Sequence, residues 1–280
     1  MIVKRTFTTI IFPSLLLVVM VGFAYVGEAL ATDITITGLI NFRDNRPVAP
    51  AGVLTGDLLI FGATNITPSG PGTTAQADQG LIIPIQPLTF IPQTLFPNQY
   101  VGFLPFSPSV TGSWFITATD AAGTVSAPPT NAIANPELIP LVLNLHASGP
   151  LLTPHLTWTL PPNLTGLGVT REVVRVRDLL HAFPGGSIPD TIFDSPSLAP
   201  TTTSYDIPTG VLTPGGSYAF EVMLDNIVTP PTAGLPAFLQ NRSETFLFPY
   251  ATTPEASALV LLVSGLAGLA GITWRRHRRK

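Results

Sequence analysis

Proline and glycine interrupt this chain so often that a long helix has almost nowhere to form between its two ends. Thirty residues are proline and 24 are glycine, and between Gly27 and Pro254 the longest stretch free of both runs from Val169 to Phe183. Proline removes a helical hydrogen bond and clashes with the preceding turn, while glycine leaves a helix entropically disfavoured. What lies between the breakers is short runs of Val, Ile, Leu, Phe and Thr, many with an apolar residue at every second position. That pattern predicts an all-β fold of antiparallel sandwiches. A proline-rich chain can also be disordered, but 45% hydrophobic and 9% aromatic residues supply core material that disordered tracts lack. The chain has no cysteine. Apolar cores rather than disulfides must therefore hold it together, and thiolate metal sites, thiol nucleophiles and lipoprotein acylation are excluded.

A proline-rich polar stretch, Ala127-Pro128-Pro129-Thr130-Asn131-Ala132, separates two sets of strand-like runs. The expected organisation is a signal peptide over 1–31, an immunoglobulin-like sandwich over 32–126, a linker over 127–136, a second sandwich over 137–250 and a terminal segment over 251–280. In the first sandwich, Asp33 to Thr37 alternates and Leu58-Leu59-Ile60-Phe61 reads as a buried strand. Leu81 to Ile85 is a further candidate, interrupted by a proline suited to an edge. The clearest unit is a hairpin. Trp114, Ile116 and Ala118 share one face, Asp120-Ala121-Ala122-Gly123 makes the turn, and Thr124-Val125-Ser126 begins the return. It looks like the last two strands of a bacterial immunoglobulin-like domain.

In the second sandwich, Leu156, Trp158 and Leu160 occupy one face of a strand that stops at Pro161-Pro162. Tyr218, Phe220, Val222 and Leu224 alternate with Ser217, Ala219, Glu221, Met223 and Asp225, the pattern of a half-buried strand. With Leu212-Thr213-Pro214-Gly215-Gly216 ahead of Tyr218, these stretches resemble the fibronectin type III domain, whose second strand carries Leu-x-Trp and whose sixth follows a Leu-x-Pro-Gly turn with a corner tyrosine. By that resemblance the first strand lies in Leu141 to His146, Ser204 to Ile207 precedes the corner, and Thr245 to Phe248 is the last strand. Val169 to Phe183 satisfies both helical and strand spacings. Its valines and Thr170 favour strand to about Arg177, with Asp178 to Phe183 turning helically after it.

Both ends of the chain read as addresses. Lys4 and Arg5 precede an apolar stretch from about Ile10 to Val26, and Ala29-Leu30-Ala31 supplies a small-x-small cleavage pattern ahead of Thr32. An uncleaved amino-terminal anchor is the competing reading. At the other end, Thr253-Pro254-Glu255-Ala256 leads into an apolar run that ends at Trp274, followed by Arg275, Arg276, His277, Arg278, Arg279 and Lys280. Nineteen residues at about 1.5 Å rise make a helix of roughly 28 Å, long enough to cross a hydrocarbon core. The cations Lys4, Arg5, Arg275, Arg276, Arg278, Arg279 and Lys280 then hold both ends in the cytoplasm and place everything between them across the membrane.

The carboxyl-terminal arrangement resembles the PEP-CTERM sorting signal, in which a Pro-Glu-Pro motif, a membrane span and a terminal arginine cluster are read by a membrane enzyme called an exosortase. Here Ala256 stands where the motif usually has proline. The resemblance implies a Gram-negative bacterial protein, an exosortase partner, an inner-membrane intermediate over 256–274, and release to the cell surface or exterior alongside exopolysaccharide. An ordinary permanent anchor with a periplasmic partner is the alternative.

Residues 32 to 255 hold 6 Arg, no Lys and 15 acidic residues, a formal charge of −9 that the cationic ends conceal. Such a surface argues against nucleic acid and anionic lipid as partners. No Gly-x-Ser-x-Gly elbow, phosphate-binding glycine loop or paired-histidine zinc motif occurs. The expectation is a non-enzymatic surface or matrix protein without catalytic residues, metal or cofactor. The alternative is a carbohydrate-binding or carbohydrate-active protein whose site is built by loops such as Gly185-Gly186-Ser187 and Ser69-Gly70-Pro71-Gly72, with Asp190, Asp194 and Asp206 as the carboxylates to watch. His146 and His155 flank one hairpin but lack a third ligand, and His181 reads as a loop residue. Asn65, Asn163 and Asn241 sit in Asn-x-Ser/Thr triplets that arise often by chance, and Trp114 and Trp158 read as core rather than sugar-stacking residues.

Overall fold

The computed structural model describes residues 34–70, 72–80, 83–133, 137–182, 188–228 and 238–252. The expected signal segment with Ala29, Ala31 and Thr32, the expected sorting motif Thr253 to Ala256, the expected span over 256–274, the cations of both termini and the Gly185-Gly186-Ser187 loop lie outside them. Among the described residues no helix is long and apolar enough to cross a membrane. Their only helical piece is a single 3₁₀ turn, Pro108–Val110. Everything else regular is strand. The first half carries β1 (Thr35–Arg46), β2 (Gly56–Thr67), β3 (Thr74–Asp78), β4 (Gln86–Pro87), β5 (Thr89–Phe90), β6 (Tyr100–Pro105), β7 (Phe115–Thr119) and β8 (Thr124–Ser126). The second carries β9 (Leu143–Ser148), β10 (His155–Thr159), β11 (Arg171–Ala182), β12 (Pro189–Asp194), β13 (Ser204–Asp206), β14 (Ser217–Val228) and β15 (Phe238–Ala251).

These strands form one eight-stranded sheet in the order β12-β11-β14-β15-β1-β2-β6-β5, and two smaller sheets, β4-β3-β7-β8 and β13-β10-β9. The large sheet unites both halves of the chain. Its centre is the parallel pairing of β1 with β15, registered at Arg43 with Asn241, Asp44 with Arg242 and Asn45 with Ser243. Each small sheet supplies apolar residues to one hydrophobic cluster. In the first, Phe61 of β2 stacks on Trp114 with ring centroids 4.0 Å apart, beside Ile116 and Ala118 of β7. In the second, Leu156 and Trp158 of β10 meet Val174 and Val176 of β11 and Tyr218, Phe220, Val222 and Leu224 of β14. Burial of those alternate positions is what holds each small sheet to the large one.

The stretch between the two clusters is tied down on the same face. Ala127, Thr130 and Ile133 donate backbone hydrogen bonds to Ile116, Trp114 and Thr111. Further on, Asn45, Asn241 and Ser243 donate to the carbonyls of Ile139, Glu137 and Pro140 at 2.9–3.0 Å. Odd-numbered side chains along the β1–β15 seam thus satisfy a segment whose own backbone joins no sheet.

Several sequence expectations stand as written. The hairpin closes as anticipated, with Asp120 accepting hydrogen bonds from the amides of Ala122 and Gly123. Both tryptophans are core. The Tyr218 hydroxyl lies 2.9 Å from the amide and from the hydroxyl of Thr213 and so closes the turn ahead of β14. Tyr218→Phe leaves that amide unpaired and is expected to lower stability by about 1–2 kcal/mol in urea denaturation. No measurable change would mean that water replaces the hydroxyl.

Three expectations are corrected. Ile83 to Ile85 is not strand, and the pairing begins at Gln86–Pro87; Pro84 cannot donate to a ladder, and Ile85 is 54% exposed. The helical turn expected after Arg177 is absent, because β11 continues to Ala182 with a register shift between Asp178 and Ala182. There the Asp178 carboxylate accepts the amides of Leu180 and His181 and takes up the irregularity. Finally, β14 is not half-buried. Ala219, Glu221, Met223 and Asp225, on the face expected to meet solvent, are each 0% exposed.

Candidate functional site

The second buried face of β14 is explained by curvature of the large sheet. Its edges are β5 and β12, and residues just after β5 reach β12: the Thr94 amide donates to Asp190 Oδ1 at 2.8 Å, and the Thr191 hydroxyl donates to Gln93 Oε1 at 2.7 Å. The sheet therefore curls until its edges meet, with the two small sheets on its outside. Twisted sheets of this width tend to curl, and closure covers strand edges that would otherwise be open.

Inside the curl lies a cavity of about 1100 Å³. One wall is apolar, built on the cross-strand row Phe42, Ile60 and Phe103 from β1, β2 and β6, with Val101 and Ile91 nearby. The other wall is charged. Asp44 and Arg46 of β1, Arg171, Arg175 and Arg177 of β11, Glu221 and Asp225 of β14, and Arg242 and Glu244 of β15 all point to this face, because residues two apart on a strand share a side.

The charges interlock across five strands, β1, β11, β12, β14 and β15. Arg46 pairs with Asp44 and lies 3.1 Å from Glu244. Arg242 donates to Asp225 Oδ1 at 2.8 Å, and Arg171 donates to Asp225 Oδ2 at 2.7 Å. Arg177 Nε donates to Glu221 Oε2 at 2.7 Å, while Arg175 grips Asp194 through Nε at 2.6 Å and Nη2 at 2.9 Å. Arg43, on the other face, pairs with Asp57. Every arginine among the described residues is thereby engaged by a carboxylate.

Burial shapes the titration of these groups in opposite directions. It pushes Glu221 up, but Arg177 and Arg175 outweigh it and hold the carboxyl low. Asp225 behaves alike, with Arg242 and Arg171 overcoming burial. For Glu244 burial prevails: Arg46 draws the group down, yet Asp44 and Glu221 add to the rise, so it sits above the usual carboxylate range. Two acceptor atoms of the network, Asp44 Oδ1 and Glu221 Oε1, have no hydrogen-bond partner, and Glu244 Oε2 has only the ion-pair contact with Arg46.

The residues singled out from sequence are not assembled into this site, with one exception. Asp194 holds Arg175 at the cavity wall, whereas Asp190 fastens the sheet edges and Asp206 is 82% exposed beside His155. His155 and His146 lie on the paired strands β10 and β9, but His155 Nδ1 is 2.7 Å from Asp206, and among the described residues no group of three His, Asp or Glu is placed to hold a metal. His181 is paired with Asp178 on the surface. Asn65 and Asn163 are exposed, while Asn241 is 1% exposed and engaged with Glu137. Sequence reasoning missed the charged wall. Its signal was present: charged residues two or four apart in Asp44-x-Arg46, Arg171 to Arg177, Glu221 to Asp225 and Arg242-x-Glu244.

No family model matches the chain, and no curated protein does. Among solved structures, the crystal structure of domains A168-A170 from titin is similar to it at 14% identity and a TM-score of 0.28. The match covers 79% of this chain and 66% of that one, so the chain spans under two thirds of the titin fragment's length.

Proposed function

We propose that this is an exported, non-enzymatic surface or matrix protein of a Gram-negative bacterium, built from an immunoglobulin-like and a fibronectin type III-like sandwich. In this reading it is delivered as an inner-membrane intermediate, processed by an exosortase at Thr253 to Ala256, and associated with exopolysaccharide. The observation that carries the reading is the parallel β1–β15 pair. Thr35 precedes Arg43 by eight residues and Ala251 follows Asn241 by ten. The chain therefore joins the folded body at one end of the sheet and leaves at the other, roughly 50–60 Å away at about 3.3 Å per residue. A body with that geometry stands away from a membrane that holds its carboxyl-terminal end, and a pull between the ends loads the β1–β15 hydrogen bonds together in shear rather than one at a time.

Charge supports the same reading. With its arginines engaged by carboxylates, the exported segment offers polyanions and anionic lipid little free positive charge. The corner formed by Tyr218 and Thr213 supports the fibronectin-like assignment of the second half.

Intact mass of the protein recovered from membrane and from extracellular fractions tests the delivery. The expected species outside the membrane begins near Thr32 and ends near Pro254. A single membrane-bound species that retains Ala256 to Lys280 would replace the sorting reading with a permanently anchored periplasmic protein.

A further inference from the structure

The chain leaves the folded body at the end of β15. Thr252 is fixed there, donating to the Thr213 carbonyl at 2.7 Å and accepting from the Gly216 amide at 2.8 Å. Three exposed leucines gather at this end. Tyr250 pairs with Tyr218, which pairs with Asp178 of β11, and Leu180, two residues past Asp178, is 59% exposed. The Tyr250 hydroxyl donates to the Leu151 carbonyl at 3.2 Å and so brings the β9–β10 turn alongside, where Leu151 and Leu152 are 43% and 37% exposed. The opposite end of the sheet is polar where β1 begins and β2 ends. There Asn65 donates to Thr37 at 3.0 Å and Thr67 donates to Asn65 at 3.3 Å, and all three are exposed.

We propose that this end of the body docks on a membrane, with Leu151, Leu152 and Leu180 seated in the headgroup layer of a zwitterionic bilayer while the tail remains attached. Docking presupposes the 256–274 span of the delivery reading and gives that intermediate a fixed posture.

Chain length selects the partner. Only Thr253, Pro254 and Glu255 separate Thr252 from the apolar run that starts at Ala256, a reach of at most about 14 Å. With that run in a bilayer, the leucines are held at its surface at an effective concentration that no freely diffusing partner matches. Each leucine gains by leaving water, and the half-buried Tyr250 adds an amphipathic ring of the kind that settles at headgroup level. Charge narrows the lipid. The exposed titratable groups beside the leucines are His181 and Asp206, the latter placed next to the turn because Ile207 donates to the Pro154 carbonyl at 3.0 Å. Among the described residues no arginine or lysine is exposed, so the match is to zwitterionic rather than anionic headgroups. Three leucines are too few to hold a free body on lipid, so removal of the tail also releases this end.

The test is fluorescence quenching on the full chain reconstituted in phosphatidylcholine vesicles. The chain has no cysteine, so His181→Cys beside the leucines and Asn65→Cys at the far end can each carry a single NBD label. Lipid with a nitroxide in its headgroup is expected to quench the label at 181 about twofold and to leave the label at 65 unchanged. Leu151→Ser, Leu152→Ser and Leu180→Ser together should remove most of the quenching at 181, with melting curves confirming the fold; Leu180→Ser alone, which should remove part of it, serves if the triple variant does not fold. Equal quenching at both sites, none at 181, or quenching that survives the serines would overturn docking. A change at 181 that appears only at high protein-to-lipid ratio would assign the leucines to contact between copies and overturn it too. A chain that does not float with the vesicles would remove the span and docking together, whereas a floated chain with an unquenched label at 181 would overturn docking alone and leave the delivery reading intact.

Discussion

Replacing Glu221 with alanine is expected to destabilise the protein by about 3–5 kcal/mol, far more than loss of an exposed ion pair. Glu221 is 0% exposed; it accepts a 2.7 Å hydrogen bond from Arg177, and its other oxygen lies 3.9 Å from Arg175. Without it, Arg177 keeps only the Thr191 hydroxyl at 3.3 Å, and a buried guanidinium loses its counter-charge. At about 2–4 °C per kcal/mol for a body of this size, the melting temperature should fall by roughly 10 °C. Glu221→Gln, which keeps a hydrogen-bond acceptor and removes the charge, should fall between. The paired change Glu221→Leu with Arg177→Met should recover most of the loss, since removing both charges also removes their desolvation penalty. A loss below about 1 kcal/mol for Glu221→Ala, by thermal and urea denaturation, would show that water screens the network and that the sheet does not close around it.

Replacing Glu172 with glutamine is expected to stabilise the protein, and to do so only at higher pH. Glu172 is on the opposite face of β11 from the arginines, 0% exposed in the second hydrophobic cluster, and neither of its carboxyl oxygens has a hydrogen-bond partner. Burial pushes it up to about 8, and the Trp158 indole draws it back only in part. A carboxyl raised in the fold binds more protons there than in the unfolded chain, so stability falls as pH rises from about 4.5 to about 8 and stays low above that. Glutamine does not titrate. The variant should therefore match the parent near pH 4 and exceed it at pH 8.5 by on the order of 3 kcal/mol. Equal stabilities at both pH values would mean that Glu172 ionises in a solvated setting. Glu244 is raised by the same cause, so part of the pH dependence should survive in the variant.

What was legible in the sequence was what neighbouring residues decide. The Trp114 to Ser126 hairpin, the Leu156-x-Trp158 strand and the corner at Thr213 and Tyr218 each lie within about a dozen residues, where alternation and turn chemistry leave few options. The strand character of Val169 to Arg177 was legible too, through its valines. The far side of β14 was not. A period-2 row of Ala219, Glu221, Met223 and Asp225 has the same pattern whether it meets water or arginines from β11 and β15, because alternation reports only that two faces differ.

The sequence by itself determined an all-β chain without cysteine, its strongest hairpin, and a segment whose acidic residues outnumber its cations. Those properties follow from backbone breakers, side-chain period and composition, which act locally or simply add. Only the tertiary structure decided that the two halves share one sheet, that its edges meet through Gln93, Thr94, Asp190 and Thr191, and that its arginines are enclosed rather than displayed. Arg46 and Glu244 are 198 residues apart in the chain, and Thr94 and Asp190 are 96 apart. Contacts at such separations depend on sheet curvature and on how two hydrophobic cores pack, and no short window of sequence contains either.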